Sequence, residues 1–260
     1  AKGSLKSQTV GTDGVFPVGE FSAPLGKVRG PQKLTVHLNV GEKTSNSWDI
    51  WVYPRNAQLM QSDTEVLYTT EFGEQAKQYL AAGKKVVLTP APNKVKGRKS
   101  TFHNHFWNPI MFNWNPMIVG TRIEHRHPVF RDFPTSYYAD WQWWDILNYA
   151  TAVDLTDMRA LTPVIQSVDT YEVNRKLGVS FEARVGSGKL FVLVVDPVKD
   201  IEKRPAMQQL LTSVRNYVAS DRFAPTVTLQ LYELDALFDY NKIRETETRS
   251  DEAVKQLLNQ

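Results

Sequence analysis

The chain has 260 residues, of which 42% are hydrophobic, 23% charged and 11% aromatic, with no cysteine and a formal net charge of +3. An apolar fraction near the globular average excludes wholesale disorder, and no apolar stretch reaches the ~20 residues of a membrane helix, so membrane insertion is not expected. The missing cysteine removes disulfides, thiolate metal sites and Cys nucleophiles together.

The first residues, Ala1-Lys2-Gly3, carry neither an initiator Met nor an apolar signal core, so the chain reads as a processed product or an excised piece. Val15, Phe16 and Val18 sit among Gly and Pro and have β character. Lys33 to Val40 alternates with period two, Leu34, Val36, Leu38 and Val40 on one face and Thr35, His37 and Asn39 on the other, which predicts a half-buried antiparallel strand. Gly41 to Ser47 has turn chemistry, and Trp48 to Tyr53 is an aromatic strand closed by Pro54. Two strands with a polar link suggest the end of a β-sandwich.

The pattern then changes. A strand over 65–70, a short helix over 72–82 with Phe72, Ala76, Tyr79 and Leu80 on one stripe, the stop Gly83, and a strand over 85–90 make a βαβ unit. Such a unit implies a parallel sheet with helical cover. Lys94, Lys96, Arg98 and Lys99 form the one compact basic cluster; beside Pro92, Asn93 and Gly97 it reads as a solvated loop, so no nucleic-acid partner is expected.

Further on, 164–168 is a strand, and 178–185 with 189–195 form a hairpin around Gly186-Ser187-Gly188. The continuously apolar Leu190 to Val195 predicts a strand covered on both faces. Pro205 opens a helix with the stripe Met207, Leu210, Leu211, Val214, Tyr217 and Val218. After Asp239 the chain is polar, with a short helix expected from Asp251. The resulting division is a β-strand segment at 1–56, an α/β domain at 57–240 and a polar tail at 241–260.

Residues 102–149 stand apart, holding 13 of the 29 aromatic residues (12 Phe, 7 Trp, 10 Tyr) and four of the five His, with little periodicity. Two readings stay open. In one, the rings pack together beneath a long irregular segment. In the other, they form a carbohydrate surface, because sugar C–H faces stack on aromatic planes while Asp and His take the hydroxyls. The candidates for that surface are His103, His105, Trp107, Trp114, His127, Asp140, Trp141, Trp143 and Trp144. Trp141, Trp143 and Trp144 cannot all face inward on an extended segment, so at least one is expected to be available to a partner. His103-x-His105 and His125-x-His127 have the look of metal ligands, but spacing alone does not bring the pairs together, and no metal or cofactor is assigned.

Catalytic templates fit poorly. Val185-Gly-Ser-Gly-Lys189 lacks the Ser or Thr and the first-Gly spacing of a phosphate loop, and no Gly-x-Ser-x-Gly elbow or dinucleotide fingerprint occurs. Glu124, Asp132, Asp140 and Asp145 read by default as solvated surface carboxylates, because the separation of a glycosidase pair is not visible in a sequence.

Several blocks resemble the C-terminal region of bacterial glycoside hydrolase family 2 proteins, relatives of β-galactosidase. They are Asn46 to Pro54, His127 to Thr135 with Asp140-Trp-Gln-Trp143, Phe181 to Leu190, and Arg204-Pro-Ala206, in order over roughly residues 20 to 225. The α/β part looks like the flavodoxin-like, class I glutamine-amidotransferase-like domains attached to several glycosidases, here preceded by the partial β-sandwich segment. The resemblance implies an accessory region packing on a catalytic barrel of the same parent protein, in a periplasmic or extracellular setting. In that family an Asn-Glu dipeptide in the barrel carries the acid/base. No Asn-Glu occurs here, so no catalytic residue carries over, and the absence of cysteine excludes amidotransferase chemistry. The expected function is therefore a non-catalytic module. The alternatives are a self-sufficient glycan hydrolase using Asp and His of 103–145, or a protein-interaction or dimerisation module.

Overall fold

The structure is a computed structural model and describes residues 2–55, 60–102, 118–171 and 173–238. His103, His105, Trp107 and Trp114, and the helix expected from Asp251, lie outside the described residues.

Residues 2–31 form no helix or strand and expose Val15, Phe16, Val18 and Phe21. They lead into a two-stranded antiparallel sheet, β1 (Gln32–Val40) and β2 (Thr44–Val52). The alternation in β1 is as expected, with Leu34, Val36 and Leu38 half-buried and Thr35, His37 and Asn39 exposed. The turn, however, is only 41–43: Gly41 takes φ +61 and Val40 pairs directly with Thr44. The polar run Thr44 to Ser47 therefore belongs to β2, because pairing with β1 overrides local turn preference. Leu34, Val36, Trp48 and Ile50 share the apolar face, on which Trp48 and Ile50 are exposed.

The rest is a mixed α/β domain built on an eight-stranded sheet. A right-to-left reading of its parallel part gives β3 (Val66–Thr69), β4 (Lys85–Leu88) and β10 (Gly188–Leu193), with α1 (Glu74–Ala81) linking β3 to β4. This is the βαβ unit the sequence predicts. Gly83, at φ +77, ends α1: its N–H donates to Leu80 O and that of Lys84 to Tyr79 O, the paired bonds of a left-handed helix stop.

The remaining strands are antiparallel: β5 (Gly97–Lys99), β6 (Ile118–Ile123), β7 (Thr151–Asp154), β8 (Ile165–Asp169) and β9 (Lys176–Val185). β9 is the shared member, pairing with β10 through its C-terminal half and with β7 and β8 through its N-terminal half. The basic cluster is not wholly a loop. Arg98 and Lys99 lie on β5, at the end of the strand order, where exposed cations discourage pairing with another chain. Val185 to Lys189 is the antiparallel β9–β10 turn, which lacks the strand-to-helix geometry of a phosphate loop.

Two apolar layers sandwich this sheet. One face is covered by α2 (Trp143–Leu147) and α3 (Pro205–Ala219), the other by α1 and α4 (Leu231–Phe238). The run Leu190 to Val195 serves both: Phe191, Leu193 and Val195 face α3, while Leu190, Val192 and Val194 face α1 and α4. The predicted α3 stripe is buried in full. Lys85 on β4 donates to Val218 O at 2.7 Å, placing a cation at the negative end of α3, and the adjacent Lys189 on β10 donates to Phe223 O at 2.8 Å in the segment that follows. Among the described residues no helix is long and apolar enough to cross a membrane.

Gly188 is fixed by a close approach. A Cβ there would lie 2.5 Å from Leu80 O and 2.6 Å from Leu80 Cα. Backbone cannot yield as a side-chain tip does, so Gly188→Ala should push α1 off the sheet. A loss of about 3 kcal/mol in urea unfolding is expected, and a loss below about 1 kcal/mol would mean that α1 moves freely.

Candidate functional site

The aromatic segment is organised around Trp143, the first residue of α2. Its ring is fully buried, meets Phe133 edge-on at 5.2 Å and Phe130 at 6.0 Å, and its Nε1–H donates to Thr135 Oγ1 at 2.8 Å. Tyr53, just beyond β2, stacks on Phe133 at 6.3 Å, and its hydroxyl donates to Gln142 Oε1 at 2.7 Å. Gln142 is itself buried and donates to Pro134 O at 2.8 Å. These contacts tie the β1–β2 hairpin to the α/β domain.

On the outer side of this anchor, Trp141 is 73% and Trp144 52% exposed. The Trp144 N–H donates to Trp141 O, so the two indoles stand one helical turn apart. Burial of Trp143 beside two exposed neighbours follows from helical turn geometry and not from the extended alternation expected. Phe102 lies 5.3 Å from Trp141, and exposed Tyr137 and Tyr138 pack edge-on at 5.0 Å nearby in sequence. Some rings of the segment are therefore packed in the core and others lie at the surface.

Asp140 sits between the anchor and the hairpin. Both its carboxylate oxygens are buried without a hydrogen-bond partner among the described residues, as is Trp51 Nε1 on the hairpin. Burial pushes Asp140 up to about 6; the Gln142 side-chain and backbone N–H groups oppose this from nearby without well-formed hydrogen bonds, and so does Lys33, while Asp49 reinforces it. Lys33 is held by Asp49 at 3.1 Å, and Thr35 Oγ1 donates to the same carboxylate. Burial together with the Asp140 charge raises the Tyr53 phenol above its ordinary range.

His127 is placed elsewhere. Its Nδ1 accepts from Val129 N–H, its Nε2 lies 3.6 Å from Glu182 Oε1, and its ring meets Tyr217 edge-on at 5.2 Å. Tyr217 donates to Glu182 Oε2 at 2.8 Å, and burial with that carboxylate raises its phenol well above the usual range. With Nδ1 bonded to Val129 and the ring set between Glu182 and Tyr217, His127 serves as a spacer between β9 and α3. His125 instead neighbours Tyr137. Among the described residues no three His, Asp or Glu converge as a metal site.

The other carboxylates are not all solvated. Asp145 binds Arg204, Glu124 binds Arg122 at 3.0 Å, and Asp132 accepts from Asn216. Two clefts are formed by described residues. One, of about 250 Å³, has Asp132 and Asp221 on its wall; the other, of about 320 Å³ at the ends of β3 and β4, has Glu71 and Asp235 paired with Lys94 and Lys77. Three of these four acids are bound to a partner.

Asp140, Trp141, Trp143 and Trp144 lie on one short stretch, of which the structure buries Trp143 and exposes Trp141 and Trp144. The sequence gives no sign of Tyr53 and Gln142 beside them; the aromatic density around Phe102 marks that ring, while Tyr53 reaches the site only through the fold.

The arrangement is that of a mixed α/β domain presenting two exposed indoles on a buried aromatic anchor. Residues 67–239 match the family described as Domain of unknown function (DUF8487), and the chain belongs to that family. Residues 1–54 match a second one, Domain of unknown function (DUF8488). No match to a curated protein was found.

Proposed function

We propose that this chain is a non-catalytic C-terminal module of a glycoside hydrolase related to family 2, packing on the catalytic barrel of its parent protein and contacting glycan through Trp141 and Trp144. The observation that carries this reading is the exposed indole pair, held one helical turn apart by fully buried Trp143. Rigid, amphipathic rings at such spacing suit stacking on successive sugar units at low entropic cost. The resemblance of the ordered sequence blocks to family 2 proteins supports the parent assignment, and that assignment would place the chain in a periplasmic or extracellular setting. The parallel β3–α1–β4 unit extended by β10 supports a flavodoxin-like origin for the sheet, with the antiparallel strands as additions.

Purified protein should not turn over aryl glycosides, and genuine turnover would favour the self-sufficient hydrolase. Titration with galacto-, xylo- and cello-oligosaccharides, followed by Trp fluorescence, should give saturable binding. Trp141→Ala should weaken it at least tenfold, a loss of about 1.4 kcal/mol, at unchanged stability. Silence across these sugars would remove the glycan reading.

A second reading rests on a different observation. The apolar face of the hairpin leaves Trp48, Ile50 and Val40 exposed, and residues 2–31 add Val15 and Phe21. Such a surface suits burial in a protein interface.

A further inference from the structure

The seam between the hairpin and the α/β domain contains two polar groups that folding leaves without partners among the described residues, the Asp140 carboxylate and Trp51 Nε1–H. Native structures pair nearly all such groups, and an ionised carboxylate left bare is the costliest kind. Trp51 lies directly across the hairpin from Lys33, whose ammonium is already committed to Asp49. The hairpin is therefore held by Tyr53, through its ring on Phe133 and its hydroxyl on Gln142, and opposed by whatever charge Asp140 carries.

We propose that this seam is a proton-controlled latch: a neutral Asp140 carboxyl lets the hairpin stay docked on the α/β domain, and an ionised one loosens it. The inference is independent of glycan binding. Among the described residues, the charged and titratable groups around Asp140 are Lys33 and Asp49 from the hairpin and Tyr53 beyond it. Tyr138 acts on Lys33, and His37 acts on Asp49. Lys33 favours the Asp140 carboxylate and Asp49 opposes it, so the ion pair between them leaves only a small part of the Asp140 charge compensated.

The direction follows from linkage. Asp140 is raised from 3.8 to about 6 in the folded chain. Below pH 4 both the open and the docked states are protonated and nothing is lost. As pH rises through the interval up to about 6, the open state ionises first, and the full penalty on docking is present above it. The shift corresponds to as much as roughly a hundredfold in the docking equilibrium, which solvent screening around a residue that is only partly buried as a whole reduces to about tenfold. Because Trp141 is the next residue, the same opening would reach the indole pair.

Amide hydrogen exchange on the full chain tests this, with rates corrected for intrinsic pH dependence. Protection in 32–52 should fall several-fold between about pH 4 and about pH 7.5 while α3 is unchanged. Asp140→Asn should hold the hairpin protected at both values. Lys33→Met, on a partly exposed side chain that leaves the core intact, should move the midpoint to higher pH by removing a group that favours the carboxylate. Equal hairpin protection at the two pH values, or a pH dependence that survives Asp140→Asn, would overturn the latch.

Discussion

Replacement of Arg204 by methionine is expected to destabilise the chain by about 3–5 kcal/mol. The guanidinium is almost wholly buried and joins three separate pieces of the fold. Nε donates to Asp145 Oδ1 at 2.7 Å, Nη1 donates to Asp196 O at 2.7 Å and Lys199 O at 3.1 Å, and Nη2 donates to Asp145 O at 3.3 Å. The plane lies 4.8 Å from the Tyr149 ring. Methionine fills much the same volume, so the loss is chiefly electrostatic: Asp145 keeps its place in the interior without its cation, and its Oδ2 has no partner among the described residues even now. Two backbone carbonyls of the loop before α3 lose their donor as well. Urea unfolding of the single variant and of Arg204→Met with Asp145→Leu distinguishes the causes. The double variant should recover much of the stability, because the stranded charge is gone. A loss below about 1 kcal/mol in the single variant would mean that water reaches this cluster.

Trp143→Ala should cost a similar amount, about 3–5 kcal/mol, and should also abolish glycan binding. The ring occupies the centre of the larger core beside Phe130 and Phe133, and its N–H reaches Thr135. Removing it opens a cavity beneath a helix of only five residues, which has little stability apart from its packing. Trp141 and Trp144 would then remain in the sequence but lose their common orientation. Trp144→Ala is the control. As an exposed residue, it should change unfolding free energy by no more than about 0.5 kcal/mol while weakening binding. Near-UV circular dichroism with the oligosaccharide titration measures both effects. Full binding by a folded Trp143→Ala protein would mean that the indoles are held by something other than this anchor.

Regular elements were legible where one physical pattern dominated. The apolar run of β10 and the α3 stripe each state which faces are covered, and the structure covers those faces; the β1 alternation names the apolar face of the hairpin, which is covered only in part. Strands β5 to β7 were not visible, because three to six residues such as Gly97-Arg-Lys99 or Thr151-Ala-Val-Asp154 carry no period of their own and exist only through pairing with a neighbour. The polar start of β2 was hidden for the same reason. At the site, sequence density marked Trp141, Trp143 and Trp144 as a group, yet could not say which ring is buried. That depends on residues 141–144 being a helical turn and not an extended stretch.

Composition and local pattern by themselves determined that the chain folds as an α/β protein, that its hairpin alternates, and that cysteine chemistry is absent, since these depend on residues close in sequence. Tertiary structure alone decided that Trp143 faces inward while Trp141 and Trp144 face solvent, that His127 lies between Val129 and Glu182, and that Asp140 lies bare in a seam beside Lys33. Each of these outcomes is set by desolvation and by partners contributed from remote segments, and burial of that kind is a property of the packed chain, which no local run of residues encodes.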